Sequence, residues 1–299
     1  MEKTLTLLAR AKINIYLDIL SRRENGYHNI QSIMQTVDLS DTVTLTRLPA
    51  GSGILVETDV PGLPTDRRNL AWRAAEQFAP LLGAVPDVAI RIEKRIPMAA
   101  GLGGGSADAA AVLRGLNQLF DVHAPVDALC RIGAGFGADI PFCTVGGAMT
   151  VEGIGEVLTP CKGLSERVCL IVACGGEGVS TPEAYGKLDD MYGNFAVSRK
   201  SEGRFASLCQ ALERDDLPAI GAHMYNIFEQ AVLPTHSTAP QLIAQMRRRG
   251  ALAARMSGSG PSVFGLFEQE DAARKAAAGI AREMGIAVHV TRPAAAYAE

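Results

Sequence analysis

What this 299-residue sequence lacks argues against several classes of protein. No stretch approaches the roughly 20 consecutive apolar residues that a membrane-spanning helix needs. Residues 1–6 lack the apolar core of a secretory signal peptide. The formal net charge is −3, so the chain has no overall positive field with which to attract nucleic acid. We therefore expect a cytoplasmic globular protein that associates with neither membranes nor nucleic acid.

The six cysteines form no recognisable motif. No two of them make a C-x-x-C pair, and none stands at zinc-ligand spacing from a histidine. We predict reduced, mostly buried thiols and no metal site built from cysteine.

Glycine, by contrast, is concentrated where it can carry a function. Residues 97–111 read PMAAGLGGGSADAAA, between a predicted strand over 87–93 and a predicted helix from Ser106 to about Phe120. Glycine lets backbone amides approach a ligand, and a helix N-terminus favours anions, so the segment predicts a phosphate site. A tight connection without a ligand is the simpler alternative. The segment has no Lys after Gly105, as a P-loop requires, and Ser106 replaces the last glycine of G-x-G-x-x-G.

Three further places carry polar side chains suited to a site. Lys12 and Asn14 alternate with aliphatic residues and so lie on one face of a predicted strand. The residues Asn-Gly at 25–26 predict a turn that presents Tyr27 and His28. Asp139 stands among apolar residues, Gly and Pro, where it is either a turn residue or a partly desolvated acid–base group.

The remaining pattern predicts alternating strands and helices. Residues 3–9 and 13–19 predict two strands, and residues 42–48 and 53–58 predict a hairpin around 49–52. Asn69 is the predicted N-cap of a helix over 70–82. Further helices are predicted over 126–136, 204–214, 217–230, 239–249 and 270–284, and further strands over 145–151, 168–173, 263–267 and 286–291. A Gly/Pro cluster before residue 168 predicts a domain boundary.

Three segments in this order resemble the motifs of the GHMP kinase superfamily. They are AKIN at 11–14, the glycine segment at 97–107 and SGSGP at 257–261. Residues 25–28, 137–142 and 179–181 resemble the branch that phosphorylates a cytidine-diphosphate-linked methylerythritol in non-mevalonate isoprenoid synthesis. The resemblance implies an α+β, two-domain GHMP kinase fold. It places a ribosomal protein S5 domain 2-like N-terminal domain at 1–162 and a ferredoxin-like C-terminal domain at 163–299.

The resemblance also implies roles for individual residues. Lys12 and Asp139 would be catalytic, with Asp139 as the general base for the 2-hydroxyl of the acceptor. Asn14, Tyr27, His28, Thr181 and Tyr185 would bind the acceptor, with its cytosine held by Tyr27, His28 and Tyr185. ATP, arriving with Mg²⁺, would be bound by Pro97, Met98, Ala99, Ala100, Gly101, Leu102, Gly103, Gly104, Gly105, Ser106 and Ala107.

Two alternative functions stay open on the sequence alone. One is another small-molecule kinase of the superfamily, such as a mevalonate-pathway or sugar kinase, against which Tyr27 and His28 argue. The other is a nucleotide-binding relative without catalysis, against which Lys12 and Asp139 argue.

Overall fold

The structure is a computed structural model that describes residues 3–176, 178–193, 201 and 203–297. Within these residues the strands form two sheets, one of seven strands and one of four. The seven-stranded sheet contains β1 (Thr4–Arg22), β2 (His28–Arg47), β3 (Ile54–Thr58), β4 (Val88–Glu93), β5 (Ala148–Gly153), β6 (Val157–Pro160) and β8 (Tyr225–Asn226). The four-stranded sheet contains β7 (Cys169–Ala173), β9 (Ala253–Met256), β10 (Val263–Phe267) and β11 (Val288–Thr291).

The first sheet is built on the long antiparallel pair β1 and β2. The two strands predicted over 3–19 are one continuous strand, because the register shifts between Arg10 and Lys12 and between Asn14 and Tyr16 without ending the ladder. Such bulges add local twist and re-aim side chains. In β1 the segment from Ala11 to Ile19 is buried along its whole length.

The hairpin predicted over residues 42–58 is wrong. Strand β4 lies between β2 and β3, antiparallel to the former and parallel to the latter. The apolar residues Val88, Ile90 and Ile92 of β4 are all buried, whereas Leu55 of β3 is 52% exposed. Strand β4 therefore takes the position between its two neighbours, and β3 forms the edge of the sheet.

Helices cover the first sheet and lead into the glycine segment. They are α1 (Leu70–Gln77), α2 (Ala79–Leu82), α3 (Gly104–Leu119), α4 (Val126–Ala134) and α5 (Ile140–Val145). The predicted N-cap is confirmed, since the Asn69 side chain accepts a hydrogen bond from the backbone N–H of Ala71. Helix α3 buries Ala109, Val112, Leu113 and Leu116, as its spacing predicts.

The second sheet has the order β11-β7-β10-β9 and is antiparallel throughout. The helices of this half are α6 (Thr181–Tyr192), α7 (Arg204–Arg214), α8 (Leu217–His223), α9 (Phe228–Val232), α10 (Thr238–Arg248) and α11 (Glu270–Met284). Helices α10 and α11 pack on the sheet over a second apolar core that includes Leu242, Met246 and Ile280. The β7-α10-β9-β10-α11-β11 succession confirms the α+β fold with a ferredoxin-like second half.

The single helix predicted over 217–230 is split. Tyr225 and Asn226 pair in parallel with Tyr16 and Leu17 of β1, so the chain leaves the helical path there to join the first sheet. The Asn226 side chain fixes the break: its Oδ1 accepts from the N–H of Phe228 and its Nδ2 donates to the carbonyl of Met256. The two halves of the chain are therefore connected by backbone pairing.

Two further sequence expectations concern the chain as a whole. The six cysteines are free thiols, but the expectation that most of them are buried is wrong, since only Cys143 and Cys169 are buried and the other four are partly exposed. The passage from the first sheet to the second falls between Pro160 and Cys169, and the domain boundary at 162/163 stays a prediction. Over the described ranges, no helix combines the length and apolar character needed to cross a membrane.

Candidate active site

The glycine segment connects β4 to α3 at the edge of a deep cleft. Helix α3 begins at Gly104, two residues before the predicted start, with Gly103 at its N-cap in the left-handed region (φ 69°). The first backbone N–H groups of a helix have no intrahelical acceptor, and they carry the positive end of its dipole. Residues 97–106 line the cleft, whose volume is about 630 Å³. The geometry therefore suits an anionic ligand at the first turn of α3.

Lys12 lies under this segment. Its backbone N–H donates to the Leu102 carbonyl at 3.0 Å. A Cβ at Gly103 would stand 3.0 Å from Lys12 Cγ, so the lysine stem packs directly against the loop. Lys12 Nζ donates to Asn14 Oδ1 at 2.8 Å and lies 3.5 Å from Asp139 Oδ2. With only 5% of its side chain exposed, the ammonium group is weakly screened by solvent.

Asp139 reaches the same cleft from the start of α5. It occupies the N-cap position, but its side chain makes no capping hydrogen bond and instead pairs with Lys12. The cap interpretation of Asp139 therefore fails for the side chain, which is 31% exposed and lines the cleft. Arg114 of α3 donates to the Cys143 carbonyl at 2.8 Å and so anchors the far end of α5.

The thiol of Cys143 lies close to the Lys12–Asp139 pair. The Sγ atom of Cys143 lies beside Gly103, 3.7 Å from the position of an added Cβ. Complete burial raises the pKa of the Cys143 thiol far above its usual range, with the negative charge of Asp139 adding to the effect. The thiol therefore stays protonated and leaves the Lys12 charge to Asp139 and to a ligand.

The third motif packs against the glycine segment from the second half of the chain. Ser257 Oγ donates to the Gly101 carbonyl at 3.0 Å and accepts from the Asn14 N–H at 3.3 Å. Thr181, the first residue of α6, shares a 2.8 Å hydrogen bond with Ser259 between their hydroxyl oxygens. Asn14 Nδ2 donates to Ser32 Oγ at 2.9 Å. Asn14 and Thr181 therefore line the cleft at positions fixed by their neighbours.

The three predicted cytosine residues are not equally placed. Tyr185 lines the cleft, with its ring edge against Phe228 at a centroid distance of 4.9 Å. Burial, with the nearby charge of Asp139, raises the pKa of Tyr185 to about 12. His28 lies behind Tyr185 and stacks on it at 4.6 Å, outside the cleft lining. Tyr27 is 59% exposed and does not line the cleft.

A buried ionic cluster beneath the glycine segment was missed by the sequence analysis. Lys94 Nζ donates to Asp41 Oδ2 and, at 2.7 Å, to Asp108 Oδ2. Asp41 Oδ1 also accepts the backbone N–H groups of Arg95 and Ile96, which fixes the turn that leads to residue 97. Burial and the second carboxylate raise the pKa of Asp108 to about 7. In the sequence, the feature that could have indicated this cluster is Asp108, an acidic residue within the Ala-rich segment after Ser106.

The structure thus brings together Lys12, Asn14, Asp139, Thr181, Tyr185 and the glycine segment. Among the residues that the structure describes, no group of three or more His, Cys, Asp or Glu is arranged to hold a metal ion. The cleft can hold an anion at α3, place a carboxylate near it, and offer a buried ammonium group to both.

Comparison with known proteins gives the class of this site. The family model "GHMP kinases N terminal domain" matches residues 69–147, and "GHMP kinases C terminal" matches residues 208–287. The chain belongs to the GHMP kinases.

Full-length relatives narrow the class further. The chain is 41% identical over 269 residues to 4-diphosphocytidyl-2-C-methyl-D-erythritol kinase of Clostridium perfringens, with 90% of each chain covered. It is 44% identical over 275 residues to the protein of the same name from Synechococcus sp., covering 91% of this chain and 87% of that one. A crystal structure of 4-(cytidine 5'-diphospho)-2C-methyl-D-erythritol kinase matches with a TM-score of 0.78 and 31% identity, over 97% of this chain and 99% of that one. These matches place the chain within the 4-diphosphocytidyl-2-C-methyl-D-erythritol kinases and favour that family over mevalonate-pathway kinases, sugar kinases and non-catalytic relatives.

Proposed function

We propose that the chain transfers the γ-phosphate of ATP to the 2-hydroxyl of 4-diphosphocytidyl-2-C-methyl-D-erythritol. The observation that carries this proposal is the Lys12–Asp139 pair, held 3.5 Å apart in the cleft that the glycine segment lines. Phosphoryl transfer needs a positioned hydroxyl, a held γ-phosphate and stabilisation of charge. The acceptor end of the cleft positions the hydroxyl, the glycine segment holds the phosphate, and the Lys12 ammonium group stabilises the charge.

Asp139 accepts the proton of the attacking hydroxyl. Its carboxylate is acceptor-only when ionised, and its exposed fraction leaves room for a hydroxyl to approach. The neighbouring Lys12 ammonium pairs with this carboxylate and faces the negative charge that develops on the transferred group. The backbone amides at 103–106 hold the donor phosphates.

The acceptor occupies the other end of the cleft. Asn14 and Thr181 contact its erythritol and diphosphate part, and Tyr185 offers an aromatic face to the cytosine. His28 contributes after a movement of the Tyr185 side chain opens the stack between the two rings. Tyr27, which is exposed, needs a movement of the turn at 24–27 to reach the base.

Mg²⁺ is expected to arrive bound to the ATP phosphates. In nucleotide sites Mg²⁺ keeps several waters and takes few protein ligands, which fits a cleft without a cluster of acidic ligands among the described residues. Ser106, in the first turn of α3, offers a hydroxyl oxygen there. The cation would offset charge on the β- and γ-phosphates.

The cytoplasmic location of the protein also stays a prediction, which cell fractionation can test.

An acceptor screen tests the proposed function. Purified protein is mixed with ATP, Mg²⁺ and one of three acceptors: 4-diphosphocytidyl-2-C-methyl-D-erythritol, mevalonate or galactose. We expect ADP formation only with the first, and a ³¹P NMR spectrum that places the new phosphate on the 2-hydroxyl. Turnover with mevalonate or galactose instead, or with none of the three, would contradict the proposal.

A further inference from the structure

One face of α6 follows the cleft from the third motif to His28. Thr181, Tyr185 and Asp189 are spaced four residues apart, so their side chains lie on the same side of the helix. Thr181 contacts Ser259, Tyr185 lines the cleft, and Asp189 contacts His28. This helix therefore connects the acceptor end of the cleft to an imidazole on the other half of the chain.

His28 is held from two directions by that helix. The Tyr185 ring covers one face of the imidazole at 4.6 Å and an interplanar angle of 23°. At the edge of the ring, His28 Nε2 and Asp189 Oδ1 are 2.7 Å apart. Only 7% of the His28 side chain and 19% of the Asp189 side chain are exposed, so water competes weakly for this hydrogen bond.

The chemistry of the pair determines which nitrogen carries the hydrogen. An ionised carboxylate can only accept, so the bond requires hydrogen on Nε2 of His28. Arg22 Nη1 lies 3.4 Å from the other oxygen of Asp189, which places this carboxylate between two N–H donors. Neutral His28 is then the Nε2–H form, just as metal-binding and catalytic histidines are fixed by a carboxylate partner.

We propose that Asp189 is a positioning residue that fixes the ring orientation and the tautomer of His28 for recognition of the acceptor's base. This inference rests on the proposed function. With Nε2–H bonded to Asp189, Nδ1 of neutral His28 can only accept a hydrogen bond. It therefore suits the amino donor of cytosine and not the carbonyl acceptor that uracil carries in the same place. Asp189→Asn removes the carboxylate that requires hydrogen on Nε2, because an amide can either accept or donate, and the discrimination falls.

The test compares Asp189→Asn with Asp190→Asn, its exposed neighbour on the same helix. For Asp189→Asn we expect KM for the cytidine acceptor to rise about tenfold, the loss typical of a group that orients another. The preference in kcat/KM over the uridine analogue should shrink, while KM for ATP should not change. Asp190→Asn should behave as wild type. Equal increases in both KM values, with a lower Tm, would show a merely structural role and overturn the proposal.

A second measurement needs no substrate. Nitrogen-15 NMR of the imidazoles at pH 8, with the His28 signals assigned by their loss in His28→Gln, reports the tautomer directly. We expect hydrogen on Nε2 in the wild type and a mixture in Asp189→Asn. Hydrogen on Nδ1 in the wild type would overturn the proposal even if the variant failed to fold. If the wild type ignored the cytidine acceptor while the NMR result held, the proposed function would fail and the Asp189–His28 pair would stand.

Discussion

Replacing Gly101 by alanine is expected to separate the glycine segment from the third motif. Gly101 has φ +77°, and an added Cβ would lie 2.1 Å from the Ser257 carbonyl oxygen, which belongs to the backbone and cannot rotate away. The left-handed conformation alone costs a residue with a Cβ about 1–2 kcal/mol. Moving the loops apart also lengthens the hydrogen bond from Ser257 Oγ to the Gly101 carbonyl, worth about 1 kcal/mol.

The total effect should therefore approach about 3 kcal/mol, which is large for one methyl group. At about 2 °C or more per kcal/mol, Tm should fall by roughly 6 °C or more. The matched control is Gly83→Ala, because Gly83 has φ +82° but open space around its Cβ position. The control isolates the backbone cost, so its Tm should fall by about half as much or less.

Thermal unfolding of both variants, with and without ATP, checks this reasoning. Gly101→Ala should also raise KM for ATP, because the displaced carbonyl moves the amides that follow it, whereas Gly83→Ala should leave KM unchanged. Equal Tm values for the two variants, together with wild-type ATP binding, would refute the close packing of these two motifs.

The remaining predictions concern charged groups and the acceptor. The folded-state pKa of Asp108, about 7, lies above its unfolded value of about 4, so its contribution to stability is complete below about pH 4 and is lost as pH rises through about 7. Asp108→Asn should remove that loss, so its Tm relative to wild type should rise between pH 5 and pH 8; an unchanged difference would contradict this. Asp41→Asn should lower the free energy of unfolding, measured with urea, because it leaves Lys94 with Asp108 as its one remaining carboxylate among the described contacts and weakens the hydrogen bonds from the Arg95 and Ile96 N–H groups. His28→Ala should raise KM for the cytidine acceptor and spare KM for ATP, and equal effects on both would mean that the acceptor end of the cleft is misplaced.

Local sequence patterns predicted most of the helices and strands. They could not predict which strands pair when the strands lie far apart in the sequence. The residues at 42–48 and 53–58 have the alternation of a hairpin, yet β4, some 30 residues later, inserts between them. The helical pattern over 217–230 likewise yields to two residues that pair with β1. Both errors come from partners that only the folded chain brings together.

The site shows the same limit at the level of single side chains. Tyr27 lies in the turn before β2, where its N–H donates to the Asn25 side chain, whereas His28 begins the strand, and only His28 is buried. The alternation that placed Lys12 and Asn14 on one face was sufficient, because both lie in the same continuous strand. No local pattern could show that Lys94, Asp41 and Asp108 meet, since they come from three separate elements.

The central claim is that Asp139, oriented by Lys12, removes the proton of the attacking hydroxyl. Single-turnover transfer from labelled ATP, with ATP and the cytidine acceptor both saturating, tests it in Asp139→Asn. General-base assistance is worth about 10²- to 10⁴-fold, so the rate should fall by at least about 10²-fold while ATP binding stays nearly intact. A near-normal rate of transfer would contradict the claim and leave positioning alone as the source of catalysis.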